Sequence, residues 1–405
     1  MKRAALDGWI QKTEGLAVLD RETILALQLK KLNALLARER ERGGFYAGLP
    51  ARLARLEDLS SLPFTTPEEL ARSPGAFLLC SQGEAGRVVT GATSGTTGLQ
   101  KRLFYTQGDL ENTIGFFAAG ISELAGAGDA VMIAMPFSGP FGLGDLIARA
   151  VERLGARPLR TGVGRTLGEL RKELYTERPA AYIGMPVPLL ALLRYAGPVS
   201  LRRALVSADA VPASVGQNIE RLLGSRLFPH YGSRELCMGG AVTCAAHGGM
   251  HLRENHVIAE IVGPGGQPLP EGEWGELVLT TIGLQAMPLI RYRTGDITRI
   301  LPGRCPCGSP TRRLAPVRRQ SPEDLPERLD SLLFAQSGLI DARYTLLERE
   351  LRIQAVCLPG AHIGLPEGVR QLFPGKKITL VTAQAGEGTV VWPGKRALLR
   401  EKDES

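Results

Sequence analysis

The sequence predicts an α/β protein with a large N-terminal αβ domain, which has parallel-rich sheets and a β-rich section, and a small α+β C-terminal domain. Three patterns predict it. Strand and helix patterns alternate between residues 131 and 208, which is typical of parallel sheets. After residue 250, strand patterns follow one another with Gly/Pro turns between them. A polar, proline-bearing segment at 316–323 then precedes a shorter mixed region, so we predict domains at 1–317 and 318–405.

The first hundred residues begin with a helix. Leucines recur at helical spacing through residues 20–40, from Leu25 to Leu36. Thr66 precedes Pro67, and Glu69 follows at the third helical position, which predicts an N-cap for a second helix. Residues 87–90 and 102–106 read as strands on either side of a soft loop.

The alternating and the β-rich regions are assigned by the same patterns. The predicted strands of the alternating region are 131–136, 180–186 and 203–208, and helices are predicted at 145–155 and 167–177. The strand-like stretches of the β-rich section are 256–263, 275–283 and 291–301. In the small C-terminal unit, strands are predicted near 342–347, 351–357 and 378–383, with a helix near 367–372.

Composition excludes several classes of function. The 405 residues carry a net charge of +8, but the arginines are spread along the chain, so we expect no nucleic-acid partner and favour an anionic small substrate. No run of about 18 apolar residues occurs, so no membrane partner is expected. The first fifteen residues lack the apolar core of a signal peptide, and we expect a cytoplasmic protein.

The loop at 93–101, TSGTTGLQK, has the composition of an anion-binding loop. Its glycines let backbone N–H groups approach an anion, and Ser94, Thr96 and Thr97 add hydroxyl donors. Lys101 adds a positive charge, which together suits a polyphosphate. The loop matches neither a Walker A motif nor a dinucleotide fingerprint, and composition alone leaves a solvent loop open.

Four motifs in order resemble those of the adenylate-forming enzymes, the superfamily of acyl-CoA synthetases and adenylation domains. TSGTTGLQK resembles their phosphate loop, with Gln100 in place of a proline. The other three are HYGSRE at 230–235, PLIRYRTGD at 288–296 and PGKRALLR at 393–400. The chain most resembles the branch of phenylacetate–CoA ligases and coenzyme F390 synthetase-like proteins, through GGFYAGLP at 43–50, VSADAVP at 206–212 and CPCGSPTRR at 305–313.

The resemblance implies ATP and Mg²⁺ as cofactors and a role for each motif. The residues implied to hold the ATP phosphates are Thr93, Ser94, Gly95, Thr96, Thr97 and Gly98, with Lys101 adding charge. Glu235 would hold Mg²⁺, Asp296 would accept hydrogen bonds from the ribose, and Arg293 would contact the ribose or a phosphate. The residues implied to line the adenine are Ala208, Asp209 and Tyr231, and Gly232 and Ser233 are further residues implied to bind the cofactor.

The implied reaction activates a carboxylic acid as acyl-AMP and then transfers the acyl group to coenzyme A. Lys395 would be catalytic, carried by a mobile C-terminal domain. The implied acyl pocket draws on two Gly/Pro-rich, apolar stretches, which favour an aryl or other apolar acid: Pro136, Phe137, Gly139, Phe141, Gly142, Met185 and Pro186.

Two cysteines and a Cys/His segment predict a structural zinc site. Cys305 and Cys307 form a C-x-C turn, and Cys244 is followed by His247 and His251. One histidine would complete a Cys₃His set, which Zn²⁺ binds tetrahedrally. His251 fits the pattern of the resembled branch better, and His247 remains the second choice. Unrelated reduced thiols are the alternative.

The chain departs from the resembled pattern after Val317, where the usual hinge sequence is not legible. Asp324 or Glu323 would have to serve as the hinge acid. Because the hinge governs thioester formation, two alternatives stay open: adenylation with transfer to an amine, carrier protein or other acceptor, and a non-catalytic nucleotide-binding relative. A homodimer also stays open.

Overall fold

The computed structural model describes residues 3–92, 100–320, 322 and 324–401. The α-helices are α1 (Ala5–Glu14), α2 (Arg21–Arg42), α3 (Pro67–Arg72), α4 (Gln107–Ile121), α5 (Leu143–Arg153), α6 (Leu167–Glu177), α7 (Pro186–Ala196), α8 (Ala213–Leu223), α9 (Leu325–Leu333) and α10 (Glu367–Leu372). Short 3-10 turns lie at Leu56–Ser61, Pro74–Phe77, Gln82–Glu84 and Arg234–Leu236.

The strands follow the same chain order. They are β1 (Ala85–Ala92), β2 (Gln100–Thr106), β3 (Ala130–Ala134), β4 (Arg157–Leu159), β5 (Ala181–Gly184), β6 (Arg203–Val206), β7 (Phe228–Tyr231), β8 (Ala241–Thr243), β9 (Met250–Leu252), β10 (Val257–Val262), β11 (Gly275–Thr281), β12 (Tyr292–Thr298), β13 (Arg313–Leu314), β14 (Arg318–Arg319), β15 (Leu339–Leu346), β16 (Glu350–Cys357), β17 (Lys377–Gln384) and β18 (Leu398–Arg400).

The chain divides into two compact units, each built from two stretches of sequence. Unit 1 comprises Met1–Glu123 and His230–Arg318, and unit 2 comprises Leu124–Pro229 and Arg319–Ser405. Among the described residues, no helix combines the length and apolar character needed to cross a bilayer.

Unit 1 contains the predicted N-terminal elements and the β-rich section. The helix expected at 20–40 is α2, which begins where the Asp20 carboxylate accepts a 2.8 Å hydrogen bond from Thr23 N. The cap at Thr66 is present, because Thr66 Oγ1 accepts from Glu69 N and Glu69 accepts from Thr66 N. Strands β1 and β2 form an antiparallel hairpin, and β10, β11 and β12 form an antiparallel sheet.

A second set of short strands in unit 1 holds two of the motifs. The last two residues of β7 pair antiparallel with β8, β8 pairs with β9, and β9 pairs with β13. His251 on β9 is opposite Arg313 on β13. This pairing brings the segment that follows Cys305 and Cys307 alongside the strand that carries His251.

Unit 2 contains the parallel sheet that the alternating pattern predicts. Strand β3 pairs parallel with β4 and β5, β5 pairs with β6, and β6 pairs with the first two residues of β7. Strand β5 is buried along its whole length, as expected for a parallel strand with both faces covered. The α/β fold class is therefore confirmed.

The C-terminal section of unit 2, residues 319–401, forms a mixed sheet in the order β17-β16-β15-β18. The strands and helix predicted there are β15, β16, β17 and α10. Helix α9 and strand β18 were not predicted. Leu325, Leu329 and Leu333 give α9 a readable helical period, but the preceding Pro322 and the polar segment favoured a linker.

The C-terminal section shares one hydrophobic core with α7 and α8. Buried members of this core from both sides are Leu189, Leu193, Ile219, Leu329, Phe334 and Tyr344. Hydrogen bonds reinforce the packing: Arg194 of α7 donates to Phe334 O at 2.8 Å, and Asn218 of α8 donates to the same oxygen at 3.2 Å. The division at residues 317 and 318 and the mobility of the C-terminal domain stay predictions.

Candidate active site

Lys101, Glu235 and Tyr292 form a buried polar cluster in unit 1. Lys101 Nζ lies 2.9 Å from Glu235 Oε1 and also donates to the Tyr292 hydroxyl, which in turn donates to Glu235 Oε1 at 3.2 Å. The Lys101 and Glu235 side chains are only 10% and 14% exposed. The sequence singled out Lys101 and Glu235 but assigned no role to Tyr292, although it lies inside the motif at 288–296.

Electrostatics keep the Glu235 carboxylate ionised. Burial raises the pKa of Glu235, but the Lys101 ammonium and hydrogen bonds to the carboxylate together hold that pKa below its usual value. Burial, and then the Glu235 charge, raise the pKa of the Tyr292 phenol, so Tyr292 remains a neutral donor. The cluster therefore presents one carboxylate, one ammonium and one hydroxyl in a site largely removed from water.

The turn that carries Glu235 depends on a close backbone approach. A Cβ on Gly232 would lie 2.0 Å from Met238 O, so only glycine fits there. Ser233 precedes the 3-10 turn at Arg234–Leu236, which Cys237 ends in the left-handed conformation with φ of 49°. Gly232 and Ser233 thus place Glu235 one turn after Tyr231.

Tyr231 and Asp296 lie together in unit 1. The Tyr231 hydroxyl donates to Asp296 Oδ2 at 2.8 Å, and both residues are 9% exposed. Gly295, with φ of 70°, turns the strand before Asp296, and Thr294 Oγ1 accepts from Asp296 N at 3.0 Å. An acid held beside a phenol can accept hydrogen bonds from a diol.

Arg293 is engaged by Glu276 rather than by an acid of the site. Its Nε donates to Glu276 Oε2 at 2.9 Å, and its guanidinium lies 5.4 Å from the centroid of the Phe64 ring. The hydrogen bond with Glu276 raises the pKa of Arg293. The predicted phosphate-loop residues, Thr93, Ser94, Gly95, Thr96, Thr97 and Gly98, lie outside the described residues.

Asp209 and Lys395 both belong to unit 2. Asp209 Oδ2 accepts a 2.7 Å hydrogen bond from Arg396 N, the backbone amide next to Lys395. Ala208 has a φ of 70°, a left-handed conformation that turns the chain after β6 toward this contact. Burial raises the pKa of Asp209, and hydrogen bonds from the Arg396 and Ala210 amides oppose it.

The predicted acyl-pocket stretch at 136–142 is a tight turn before α5. Gly139 and Phe141 have φ angles of 77° and 60°, and Asp145 Oδ2 accepts from Phe141 N at 3.0 Å. Gly142 cannot carry a side chain, since its Cβ would lie 2.9 Å from Ser138 N. Pro136 O accepts from Gly144 N at 3.0 Å. The turn therefore has a fixed backbone.

Two arginines lie on the aromatic rings of this turn. Arg149 is 4.4 Å from the Phe141 ring centroid, and Arg160 is 5.3 Å from that of Phe137. Asp145 pairs with both, at 3.0 Å from Arg149 Nε and 3.1 Å from Arg160 Nη1. The apolar character of the stretch did not predict these ion pairs. The i, i+4 spacing of Asp145 and Arg149 could have predicted the first of them.

Met185 and Pro186 begin helix α7 in unit 2. Met185 is the N-cap residue and Pro186 is at the first helical position, where its missing N–H costs nothing. Met185 lines a cavity with Met132 and Tyr182, and Val391 and Pro393 of the C-terminal section also line it. The cavity is therefore bounded in part by the segment that carries Lys395.

The cysteine and histidine ligands predicted from sequence form a cluster in unit 1. The sulfur atoms of Cys244, Cys305 and Cys307 and a ring nitrogen of His251 lie within 4.8 Å of one another, and all four residues are buried. His247 does not belong to this set in the described part of the chain. Of the two histidines that the sequence left open, the geometry favours His251.

The donor set fits a thiophilic divalent cation. Thr311 Oγ1 lies 2.7 Å from His251 Nδ1, which leaves Nε2 facing Cys307 Sγ at 3.6 Å. Burial raises the pKa of Cys244 to about 12, so without a cation this thiol keeps its proton. A bound Zn²⁺ would displace thiol protons and hold the β8–β9 turn to the loop before β13.

Of the two hinge candidates, only Asp324 is described. Asp324 precedes α9 as its N-cap residue, and no side-chain cap hydrogen bond forms there. Glu323 lies outside the described residues.

Comparison with known proteins gives a consistent result. The sequence model of a family described as AMP-binding enzyme matches residues 92–287. The phenylacetate–coenzyme A ligase of Escherichia coli (strain K12) is 32% identical over 303 residues, covering 70% of this chain and 68% of that protein. The phenylacetate–coenzyme A ligase of Thermus thermophilus is 29% identical over 365 residues, covering 83% of this chain and 80% of that protein.

A solved structure shares the fold. A crystal structure of 2-hydroxyisobutyryl-CoA ligase in the postadenylation state, in complex with 2-HIB-AMP, aligns with a TM-score of 0.72 at 20% identity. The alignment covers 95% of this chain and 90% of that chain. The architecture described above is therefore also the fold of that ligase.

Proposed function

Because this chain belongs to the phenylacetate–coenzyme A ligase family of AMP-binding enzymes, and is thus an acyl-CoA ligase, we propose that it activates an aryl or other apolar carboxylic acid. In the first step a carboxylate oxygen bonds to the α-phosphorus of ATP and pyrophosphate leaves. In the second step the thiol of coenzyme A attacks the acyl carbon, loses its proton and displaces AMP.

The observation that carries the proposal is the buried cluster of Lys101, Glu235 and Tyr292. The acid is already ionised at neutral pH, so the first step needs positioning and charge neutralisation rather than a general base. Lys101 supplies a positive charge next to the predicted phosphate loop, and Glu235 supplies the carboxylate that a hard cation prefers. Bound Mg²⁺ would neutralise charge on the phosphates.

The remaining residues take the roles that their surroundings support. Asp296, held by Tyr231, would accept hydrogen bonds from the ribose hydroxyls. Ala208 and Asp209 would line the adenine. Lys395 would neutralise the developing charge on the α-phosphate, carried by residues 318–405 as a small mobile domain. Arg293 would act only beside the ribose, since Glu276 already pairs with it.

The acyl pocket is assigned to the turn at 136–142 and to Met185 and Pro186. Their buried or fixed apolar surfaces favour an aromatic ring or a short aliphatic chain. The Cys₃His cluster is a structural zinc site in this proposal, because it holds two loops together and presents no acid or base for the reaction.

A pyrophosphate-release screen tests the function. The protein is incubated with ATP, Mg²⁺ and a panel of aryl, aliphatic and hydroxylated acids, with and without coenzyme A. We expect pyrophosphate release with at least one apolar acid and consumption of coenzyme A in step with it. No release with any acid would disprove the proposal. Accumulated acyl-AMP without loss of coenzyme A would instead favour another acceptor, which the unrecognisable hinge sequence after Val317 keeps as the second candidate.

A further inference from the structure

Arg396, the residue after Lys395, has a buried guanidinium group in which all three nitrogens donate hydrogen bonds. Its side chain is 8% exposed. Nε and Nη2 donate to the two carboxylate oxygens of Asp330 at 2.9 and 2.8 Å, and Nη1 donates to Asp341 Oδ1 at 2.8 Å. Nη2 also donates to Ala342 O. We call Arg396, Asp330 and Asp341 the Arg396 clamp.

The clamp joins three elements of the C-terminal section. Asp330 lies in α9 with a side chain 0% exposed, and Asp341 lies in β15 with a side chain 4% exposed. The Tyr344 hydroxyl donates to Asp330 Oδ1 at 2.6 Å. Two buried acids and one arginine are a costly way to stabilise a fold, because apolar side chains of the same size pack without losing hydration. Such a cluster instead fixes one geometry.

The geometry that it fixes is that of the segment around Lys395. On one side of Lys395, Trp392 N donates to Asp341 Oδ2 at 2.9 Å, and Trp392 Nε1 donates to Lys395 O at 3.1 Å. On the other side, Arg396 N donates to Asp209 Oδ2 at 2.7 Å. The main chain around Lys395 is thus tied on both sides, and the amide of the next residue lies beside Asp209.

We propose that Arg396 is a positioning residue for Lys395. Its bidentate bond to Asp330 and its bond to Asp341 hold the main chain at residue 395 in one position on α9 and β15, so that the C-terminal section presents the amine to the α-phosphate in one orientation when ATP is bound. The inference rests on the proposed function only for the role of that amine. Displacement of a charged group by about 1 Å in an active site lowers the rate by up to roughly 100-fold.

The test is a double-mutant cycle with Arg396→Gln and Lys395→Ala. With the acid found by the screen, Arg396→Gln should lower kcat for pyrophosphate release about 30- to 100-fold and change the KM for ATP less than about 3-fold. In the Lys395→Ala background the same change should cost less than about 2-fold. Arg396→Lys, which keeps the charge but not the bidentate geometry, should lie between.

Equal losses in both backgrounds would overturn the inference, because Arg396 would then act through the fold. Arg370→Ala removes an exposed arginine of α10 and serves as the control, with unchanged kcat. Thermal unfolding is measured for every variant. If Arg396→Gln fails to fold, Asp330→Asn replaces it in the cycle, since it weakens the same bond with a side chain of the same shape.

A second measurement needs no substrate. Lysines are converted to ¹³C-dimethyl-lysines, and the Lys395 signal is assigned from its loss in Lys395→Ala. Arg396→Gln should shift and broaden that signal, and Arg370→Ala should not. An unmoved signal overturns the inference even if no acid is adenylated, so failure of the clamp and failure of the proposed function are distinguishable.

Discussion

Lys101 Nζ lies 2.9 Å from Glu235 Oε1, and the two side chains are 10% and 14% exposed. Lys101 and Glu235 are 134 residues apart in the chain, so the hairpin β1–β2 and the turn after β7 must both be folded before this pair can form. Removing the charge of either residue leaves the charge of the other buried and without its ion-pair partner.

The first prediction separates the stability of this pair from its chemistry. Lys101→Met and Glu235→Gln should each lower the unfolding free energy by about 3 kcal/mol and reduce pyrophosphate release at least about 100-fold. The double variant should recover most of the stability and none of the activity. Urea unfolding and pyrophosphate release at several Mg²⁺ concentrations check this, with exposed Lys172→Met as the control. Activity restored in the double variant would show that the pair is structural.

The second prediction concerns the metal. Purified protein should contain about one Zn²⁺ per chain, and Cys305→Ser should lose it and lower Tm by at least about 5 °C. Cys80→Ser changes a thiol outside the cluster and should alter neither value. Elemental analysis and thermal unfolding are the measurements. Equal metal content in both variants would contradict a zinc site here.

The third prediction is a pH dependence that originates at Glu39. This carboxylate on α2 is fully buried, accepts from Tyr46 N at 3.2 Å, and its Oε1 has no partner among the described residues. Burial raises the pKa of Glu39 from 4.5 to about 7. The folded chain therefore keeps a proton that the unfolded chain has lost, and its unfolding free energy falls as pH rises between these two values.

The expected result is a pH-dependent gain for Glu39→Gln. At pH 8 the variant should be more stable than the natural chain by roughly 2 to 3 kcal/mol, and near pH 4.5 the two should be alike. Urea unfolding at both pH values measures it, and the exposed Glu41→Gln provides the baseline. A constant difference at the two pH values would rule out this titration.

The fourth prediction concerns the ion pairs of Asp145 beside the acyl-pocket turn. Asp145→Asn keeps an oxygen for Phe141 N but loses the charge that holds Arg149 and Arg160. Because these arginines are about half exposed, we expect a KM for the acid about 5- to 10-fold higher and an unchanged KM for ATP. Steady-state kinetics against both substrates decides it. Asp129→Asn, a change in an exposed turn, is the matched control. If Asp145→Asn changed the KM for the acid and the KM for ATP alike, Asp145 would have no specific role in the acid site.

The periodicities of the sequence were sufficient for the architecture. Buried parallel strands such as β3 and β5 read as short apolar runs, and the helices between them kept a clear 3.6-residue period, so the α/β class was predicted and is confirmed. The family was predicted from the motifs instead, and the relatives confirm it. Helix α9 was missed, because Pro322 and its polar neighbours resemble a linker although the leucines behind them are periodic.

The arrangement of the site was harder to predict from the sequence, because its contacts join residues that are far apart in the chain. Lys101, Glu235, Tyr231 and Asp296 could be named from motifs, but their pairing depends on strand registers that no local pattern encodes. Arg396 was named only as part of a motif, because its partners lie 66 and 55 residues earlier. The phosphate-loop roles, the hinge acid and the domain boundary stay predictions, as do a cytoplasmic location and a possible dimer.

The core that α7 and α8 share with the C-terminal section limits where this enzyme can be truncated and which segments can be exchanged. A chain ending at residue 318 would uncover Leu189, Leu193 and Ile219, which share one core with Leu329, Phe334 and Tyr344. The truncated protein is therefore expected to aggregate, and not merely to catalyse the reaction more slowly. Exchange of the last ninety or so residues between relatives should therefore succeed only when the faces of these two helices are exchanged with them.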